Sequence, residues 1–302
     1  MKQFTDNRIT IYTPTYNRGY CLNQLYESLY RQGVPYQYFK WIIIDDGSID
    51  NTEEIVNKWI IAAPFKIEYY KQNNEGKMAK LNFVHNILDT ELCVCVDSDD
   101  FLVDQALYEV FEVWQYAKQF SDIGGLIGLD CFKNGDIVGT KFPNNVDKIK
   151  IKEFKKYGIS GDKKIVYRSK LVYEYPRYPS FNGEKFPAPG YLNRLIDQDY
   201  DLYIINRPLC VVEYLADGLS KGKFKQFKNA PESFIFYRKE RMRLADTYLE
   251  KFKNAIHYVS SCIFAKRNFF INNPFIITTL LAIPFGIVLN LYIRKNLNKG
   301  VV

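Results

Sequence analysis

The chain has 302 residues, 47% of them hydrophobic, 25% charged and 16% aromatic, well above the low-hydrophobicity, high-charge regime of disorder. With Gly 17, Pro 12 and Cys 6 it is neither collagen-like nor a disulfide scaffold, and its length allows one large α/β domain or two modest ones. The formal charge of +7 is uneven: Lys221 to Val302 holds 15 Lys and Arg against 4 Asp and Glu, so the tail carries +11 and the preceding body −4, the pattern of a chain whose end meets phosphate-rich material or an anionic membrane.

The N-terminus has no apolar h-region and runs directly into a strand pattern, so no signal peptide is expected. The six cysteines are scattered and read as reduced thiols of a cytoplasmic protein. His85 and His257 are too few for a zinc site.

Arg8–Thr13, Trp41–Asp45, Phe65–Tyr70 and Leu92–Asp97 are apolar strand-like runs. Between them Cys21–Arg31, Thr52–Ile61 and Lys77–Leu88 place apolar residues at helical spacing. Ser48, Asp50 and Asn51 form a capping cluster before the second helix. This βαβαβαβ alternation predicts a doubly wound α/β sheet with right-handed crossovers, whose ligand crevice lies beyond the carboxyl ends of the strands. Four polar clusters meet that edge: TPTYNR (Thr13–Arg18), DDGS (Asp45–Ser48), NNEGK (Asn73–Lys77) and DSDD (Asp97–Asp100).

Beyond residue 105 a helix is expected over Ala106–Phe120 and Gly-bounded short strands over Gly124–Phe142. A Lys-rich stretch (Asp147–Lys164), a long Pro/Tyr/Gly-rich loop (Tyr173–Tyr191) and a helix and strand over Leu192–Val212 follow. Lys223–Tyr258 reads as basic and helical. Phe275–Ile293 is a 19-residue apolar segment interrupted by Pro284, Gly286 and Asn290 and followed by Arg294, Lys295 and Lys299. It fits an in-plane interfacial anchor, a span or a buried core helix.

The DSDD run places three carboxylates within four residues, which repel unless a cation is shared, and Mg²⁺ or Mn²⁺ takes such oxygen ligands. The competing reading is a turn and cap before the next helix. Asp46 suits a base N–H or an Asx-type turn; Tyr16 a stacking platform or packing; Lys77 a diphosphate or open solvent.

As a set, TPTYNR, DDGSIDNT, NEGKMAKLN and DSDD over residues 8–104 resemble the family 2 nucleotide-sugar glycosyltransferases of the GT-A fold. GDK (Gly161–Lys163), GEKF (Gly183–Phe186), DLYIINRPL and EYLADGLS (Glu213–Ser220) extend the likeness towards a bacterial surface-polysaccharide branch. The resemblance implies a GT-A doubly wound, mostly parallel sheet flanked by helices, with a basic helical, membrane-associating tail. Residues 1–104 would form the nucleotide-sugar half, 105–220 the acceptor half and 221–302 the tail. It implies that Pro14 and Tyr16 border the base, that Asp46 reads it, and that Lys77 sits near the phosphates. Asp97 and Asp99 would be the D-x-D pair, with Asp99 and Asp100 as ligands of Mn²⁺ or Mg²⁺.

The implied activity is inverting transfer of a sugar from a nucleotide diphosphate donor, UDP-linked, to a surface glycan or lipid-linked saccharide on the cytoplasmic face of the membrane. The sequence departs from this pattern at EKFPAPGY, where Ala188 or Pro189 stands in place of the expected acid. Glu184 and Asp162 are therefore the candidate bases. Tyr173, Tyr175, Tyr178, Phe181 and Tyr191 suit a sugar-stacking cleft or a core. The alternatives are a catalytically silent sugar-nucleotide-binding protein, a nucleotidyltransferase, for which TPTYNRGY lacks a Gly-rich basic loop, and a nucleic-acid binder, disfavoured by the apolar residues interleaved with the tail's bases.

Overall fold

The computed structural model describes residues 8–185, 188, 190–213 and 223–298. Pro189 and the 214–220 part of EYLADGLS lie outside the described residues, as does Phe186. The described residues fall into two compact units, one drawn from Met1–Arg177 and Leu192–Tyr214, the other from Tyr178–Tyr191 and Leu215–Val302.

In the first unit the apolar runs become β1 (Ile9–Thr15), β2 (Phe39–Asp45), β3 (Lys66–Lys71) and β4 (Leu92–Cys95), with α1 (Leu22–Leu29), α2 (Thr52–Ala62) and α3 (Lys77–Ile87) between them. They are parallel neighbours in the order β3-β2-β1-β4. The chain steps outward through α1 and α2, then crosses back through α3 to β4. Right-handed crossovers accordingly put α3 on the opposite face. Ile9, Ile11, Trp41 and Ile43 face Leu25 of α1 and Val56 and Trp59 of α2 in one core, while the alternate residue Tyr12 meets His85 of α3 edge-on at 5.9 Å. The reversal between β1 and β4 is the switch point at which a crevice opens beyond the strand ends.

The short β5 (Phe101–Leu102) and α4 (Ala106–Ala117) follow, and Leu107, Val110 and Trp114 of α4 join the same core. β6 (Ile123–Cys131), β7 (Lys148–Ile149) and β8 (Lys163–Arg168) precede α5 (Ser169–Glu174) and α6 (Gly190–Asp199), and β9 (Asp201–Val211) closes the unit. β8 pairs antiparallel with β4, and β6 then lies between β8 and β9, so one sheet is mostly parallel with an antiparallel insert.

The expectation of short strands bounded by glycine over Gly124–Phe142 is corrected, because β6 is one nine-residue strand. Its glycines serve close approach instead of turns: a Cβ on Gly125 would lie 2.1 Å from the Val166 carbonyl oxygen, and one on Gly128 2.3 Å from the Leu209 side chain.

The second unit holds α7 (Lys223–Asn229), α8 (Pro231–Arg243), α9 (Tyr248–Ala265) and α10 (Ile276–Asn298). Met242, Ala255, Tyr258, Val259, Cys262 and Ala282 form its core.

Candidate active site

Loops at the carboxyl ends of β1 and β2 are laced together by short polar side chains. Asn17, with φ of 53°, donates its N–H to Ser48 Oγ at 2.8 Å and accepts from the Ile49 N–H at 2.8 Å. The Gly19 N–H donates to Asp50 Oδ2 at 3.2 Å, and a Cβ there would press within 2.7 Å of the Asn51 side-chain oxygen. Buried Asp45 accepts from the Ser48 N–H at 2.7 Å and the Tyr69 hydroxyl at 2.5 Å; burial and this bond push the Tyr69 phenol up. Pro14 is buried in β1, whereas Tyr16, just past it, is 46% exposed.

Asp46 binds the next loop over. Its Oδ1 accepts from the Glu75 N–H at 2.8 Å and its Oδ2 from the Gly76 N–H at 2.9 Å, and the fully buried Lys80 ammonium lies 3.2 Å away. Lys80 also donates to the Asn73 carbonyl at 2.7 Å and to Gln72 Oε1 at 3.1 Å. In the structure Asp46 therefore shapes the 72–76 loop, where the sequence pointed to base contact or an Asx-type turn. Gly76, at φ +94°, adopts a conformation costly for other residues and starts α3, so Lys77 is its first residue.

Lys77 Nζ donates to both carboxylate oxygens of Asp97 at 2.7 Å. Burial raises the carboxyl, but this ammonium outweighs it and holds Asp97 below the usual carboxylate range. The Asp100 N–H to Asp97 carbonyl bond at 3.0 Å turns the chain. Burial and the neighbouring Asp97 push Asp99 up, and burial pushes Asp100 up to about 7 against the Lys164 ammonium. Asp100 lies 3.7 Å from Lys164 Nζ and accepts from the Glu213 N–H at 3.3 Å. Glu213 itself is ion-paired with Lys133.

Lys164 and Asp130 are the residues that the motif reading missed. Asp130, next to last in β6, is almost fully buried, with one carboxylate oxygen lacking a hydrogen-bond partner, and its carboxyl is raised by burial. Burial lowers the Lys164 ammonium, but the carboxylates of Asp130, Asp100 and Asp97 beside it outweigh burial and raise it. A signal existed for each. LIGLDC ends an apolar run in an acid, as WIIIDD and CVCVD do, and Lys164 directly precedes the apolar run of β8.

Among the described residues no three His, Cys, Asp or Glu side chains form a protein-only metal cage. A small hard cation takes one or two carboxylates and completes its shell with substrate phosphates and water. Asp99 and Asp100 supply oxygen donors of this kind, and the Asp130 carboxylate acts on Asp100.

The two candidate bases are placed differently. Asp162 is exposed, just before β8 in the first unit. Glu184 belongs to the second unit, where it accepts from the Glu232 N–H at 2.9 Å, the Ser233 N–H at 2.7 Å and the Ser233 hydroxyl at 2.6 Å, capping α8. Tyr178 and Tyr191 are buried 6.0 Å apart, core residues instead of a platform, while Tyr173 is half-exposed.

Residues 10–127 match the model of glycosyl transferase family 2. Poly(ribitol-phosphate) beta-N-acetylglucosaminyltransferase TarS of Staphylococcus aureus is 29% identical over 100 residues, 33% of this chain and 18% of TarS. Glycosyltransferase GlyG of Streptococcus pneumoniae is 27% identical over 122 residues, 40% of each chain. The matched segment thus spans well under half of these curated relatives. Among solved structures, S. aureus TarS 1-349 in complex with UDP-GlcNAc superposes with a TM-score of 0.61 at 13% identity, covering 97% of this chain and 92% of that one. The mannosyltransferase PcManGT of Pyrobaculum calidifontis, in complex with GDP-Man and Mn²⁺, gives 0.56 at 14% identity, covering 94% and 87%. The segment 10–127 carries the likeness to glycosyl transferase family 2, and the sheet and flanking helices have the GT-A fold.

Proposed function

We propose that the chain is a metal-dependent, inverting glycosyltransferase that moves a sugar from a UDP-linked donor to a surface glycan or lipid-linked saccharide at the cytoplasmic face of a bacterial membrane. The observation that carries this reading is the convergence of Lys77, Asp97, Asp99 and Asp100 at the β1/β4 switch point. The UDP-GlcNAc and GDP-Man complexes of its structural neighbours support a nucleotide-sugar donor. Residues 1–104 serve the donor, 105–220 the acceptor and 221–302 the membrane.

Pro14 and Tyr16 border the base, and Asp46 holds the loop at its edge. Lys77, aimed by Gly76 and Asp97, receives the diphosphate, while Asp97 and Asp99 orient the ribose and phosphates. Asp99 and Asp100 would hold Mn²⁺ or Mg²⁺, which when bound would supply positive charge to the diphosphate leaving group. The acceptor hydroxyl forms the new bond to the anomeric carbon as the bond to the phosphate oxygen breaks. Its proton passes to a carboxylate. Between Glu184 and Asp162 we favour Asp162, which is exposed and shares a unit with DSDD, whereas the Glu184 oxygens cap α8.

UDP-sugar hydrolysis, followed with and without Mn²⁺ in the native chain and in Asp99→Ala, tests the proposal. Loss of about 10²-fold or more in the variant is expected, as for removal of a group that stabilises developing charge. Turnover indifferent to both chelation and the substitution would overturn it.

A further inference from the structure

Helix α10 is apolar enough to cross a bilayer over Ile276–Leu297, with a mean hydropathy of 2.1. Its neighbours dictate another placement. Phe285 meets Phe252 at 5.7 Å, Asn290 Nδ2 donates to the Ser260 carbonyl at 3.1 Å, and the Arg294 guanidinium lies 5.0 Å from the Phe264 ring. Contacts therefore advance together along both helices, and α9 and α10 run in the same direction. The intervening residues 266–275 return along α9: the Tyr258 hydroxyl donates to the Phe269 carbonyl at 3.2 Å, and Lys251 Nζ lies 5.1 Å from the Phe275 ring.

The seam is tight and partly polar. A Cβ on Gly286 would fall 2.5 Å from the Val259 side chain, and Asn273 Nδ2 donates to Thr279 Oγ1 at 2.8 Å. A spanning α10 would carry α9, with Glu250, Lys251, Lys253 and His257, and the non-helical segment 266–275 into hydrocarbon beside it, where charged side chains and irregular backbone are costly. Only the opposite face of α10 is available to lipid. There Ile277, Leu280, Leu281, Val288 and Leu291 are each more than half exposed.

Positive charge borders this face. Arg294 and Lys295 are exposed at its end, and Phe224 of α7 packs on Tyr292 at 6.0 Å, which brings Lys225 and Lys228 alongside. We propose that α10 is an in-plane anchor: its exposed face enters one leaflet of an anionic bilayer, with α9 on the aqueous side and the bases of α7 and the α10 terminus on lipid phosphates. This deepens the membrane location proposed above and is independent of the donor chemistry.

The test is flotation of the full chain with vesicles of phosphatidylcholine alone or mixed with phosphatidylglycerol, together with donor hydrolysis in vesicle-free solution. Native protein should float with the mixed vesicles, be released by alkaline carbonate, and keep its hydrolytic activity without lipid. Leu281→Glu with Val288→Glu should cut partition about tenfold or more while activity is retained. Lys225→Ala and Lys228→Ala should each cost about fivefold, and only with phosphatidylglycerol present. If circular dichroism shows that the Glu pair lowers helix content, the Ser pair at the same positions should still lose about threefold. Carbonate-resistant insertion, absence of native binding, unchanged binding by the substituted chains, or a lipid-free dimer that the Glu pair dissociates would each overturn the inference. Loss of hydrolysis with flotation intact would instead count against the donor chemistry.

Discussion

Replacing Asp46 by Ala separates a structural role from recognition of a base. Its carboxylate sits 3.2 Å from a fully buried ammonium and accepts two backbone N–H groups of the loop that starts α3. At an effective dielectric of about 20 the gross attraction over that distance is about 5 kcal/mol. Much of it offsets desolvation of the two charges, but deleting one partner leaves Lys80 buried with only neutral acceptors close by and Glu75 at 3.9 Å. The expected cost is about 3–5 kcal/mol of stability, a fall of roughly 1 M or more in the urea midpoint. UDP affinity should fall with it, because the released 72–76 loop no longer aims Lys77. Asp46→Ala combined with Lys80→Met should recover a good part of the stability, since the stranded charge is gone. Urea unfolding and nucleotide titration on the three variants measure this. An Asp46→Ala protein within about 0.5 kcal/mol of native stability, altered only in which nucleotide base it prefers, would refute the loop-anchoring argument and favour base reading.

Two further outcomes follow from buried charge. Lys164→Met leaves Asp100 and Asp130 facing one another without an ammonium; it should destabilise the chain by about 3–5 kcal/mol in urea unfolding, and adding Asp130→Asn should return part of that. Burial, followed by nearby Arg177, lowers His85 to about 3, and burial with Arg238 and Arg241 lowers His257 to about 4, from 6.5. Both are neutral in the fold, so their contribution is present above pH 6.5 and is lost progressively as pH falls from there to the folded values of about 3 and 4. The slope approaches about 1.4 kcal/mol per pH unit for each proton taken up. His85→Gln should flatten the curve of unfolding free energy against pH between about 6.5 and 4, and an unchanged slope would refute the assignment.

The first hundred residues were legible because each parallel strand is an apolar run and each crossover helix an amphipathic one. Boundaries shifted where pairing or turning decided them. β1 extends to Thr15 because it pairs residue by residue with β2 as far as Asp45, whereas β4 stops at Cys95 because the chain must turn through DSDD. Acids ending strands marked the site, but their partners were hidden. Lys77 reaches Asp97 across twenty residues, and Lys164 and Asp130 arrive on β8 and β6, whose pairing against β4 and β9 no local pattern announces. The partners of Glu184 were hidden for a related reason: a carboxylate in a loop looks the same in sequence whether it takes a proton or caps a helix forty-eight residues away.

That cap bears on how the chain can be divided. Tyr178–Tyr191 leaves the sheet unit, joins the helical unit, and the chain then returns to complete β9 before entering the helices for good. The covalent path therefore crosses between the two units three times, and no single cut yields both intact. A protein ending before Lys223 would keep Phe181, Glu184 and Tyr191 but lose Phe236, Glu232 and Ser233, their partners in α8. Limited proteolysis should accordingly release no stable 1–220 fragment, and the helices are as much a folding requirement of the segment around Glu184 as they are an attachment to a surface.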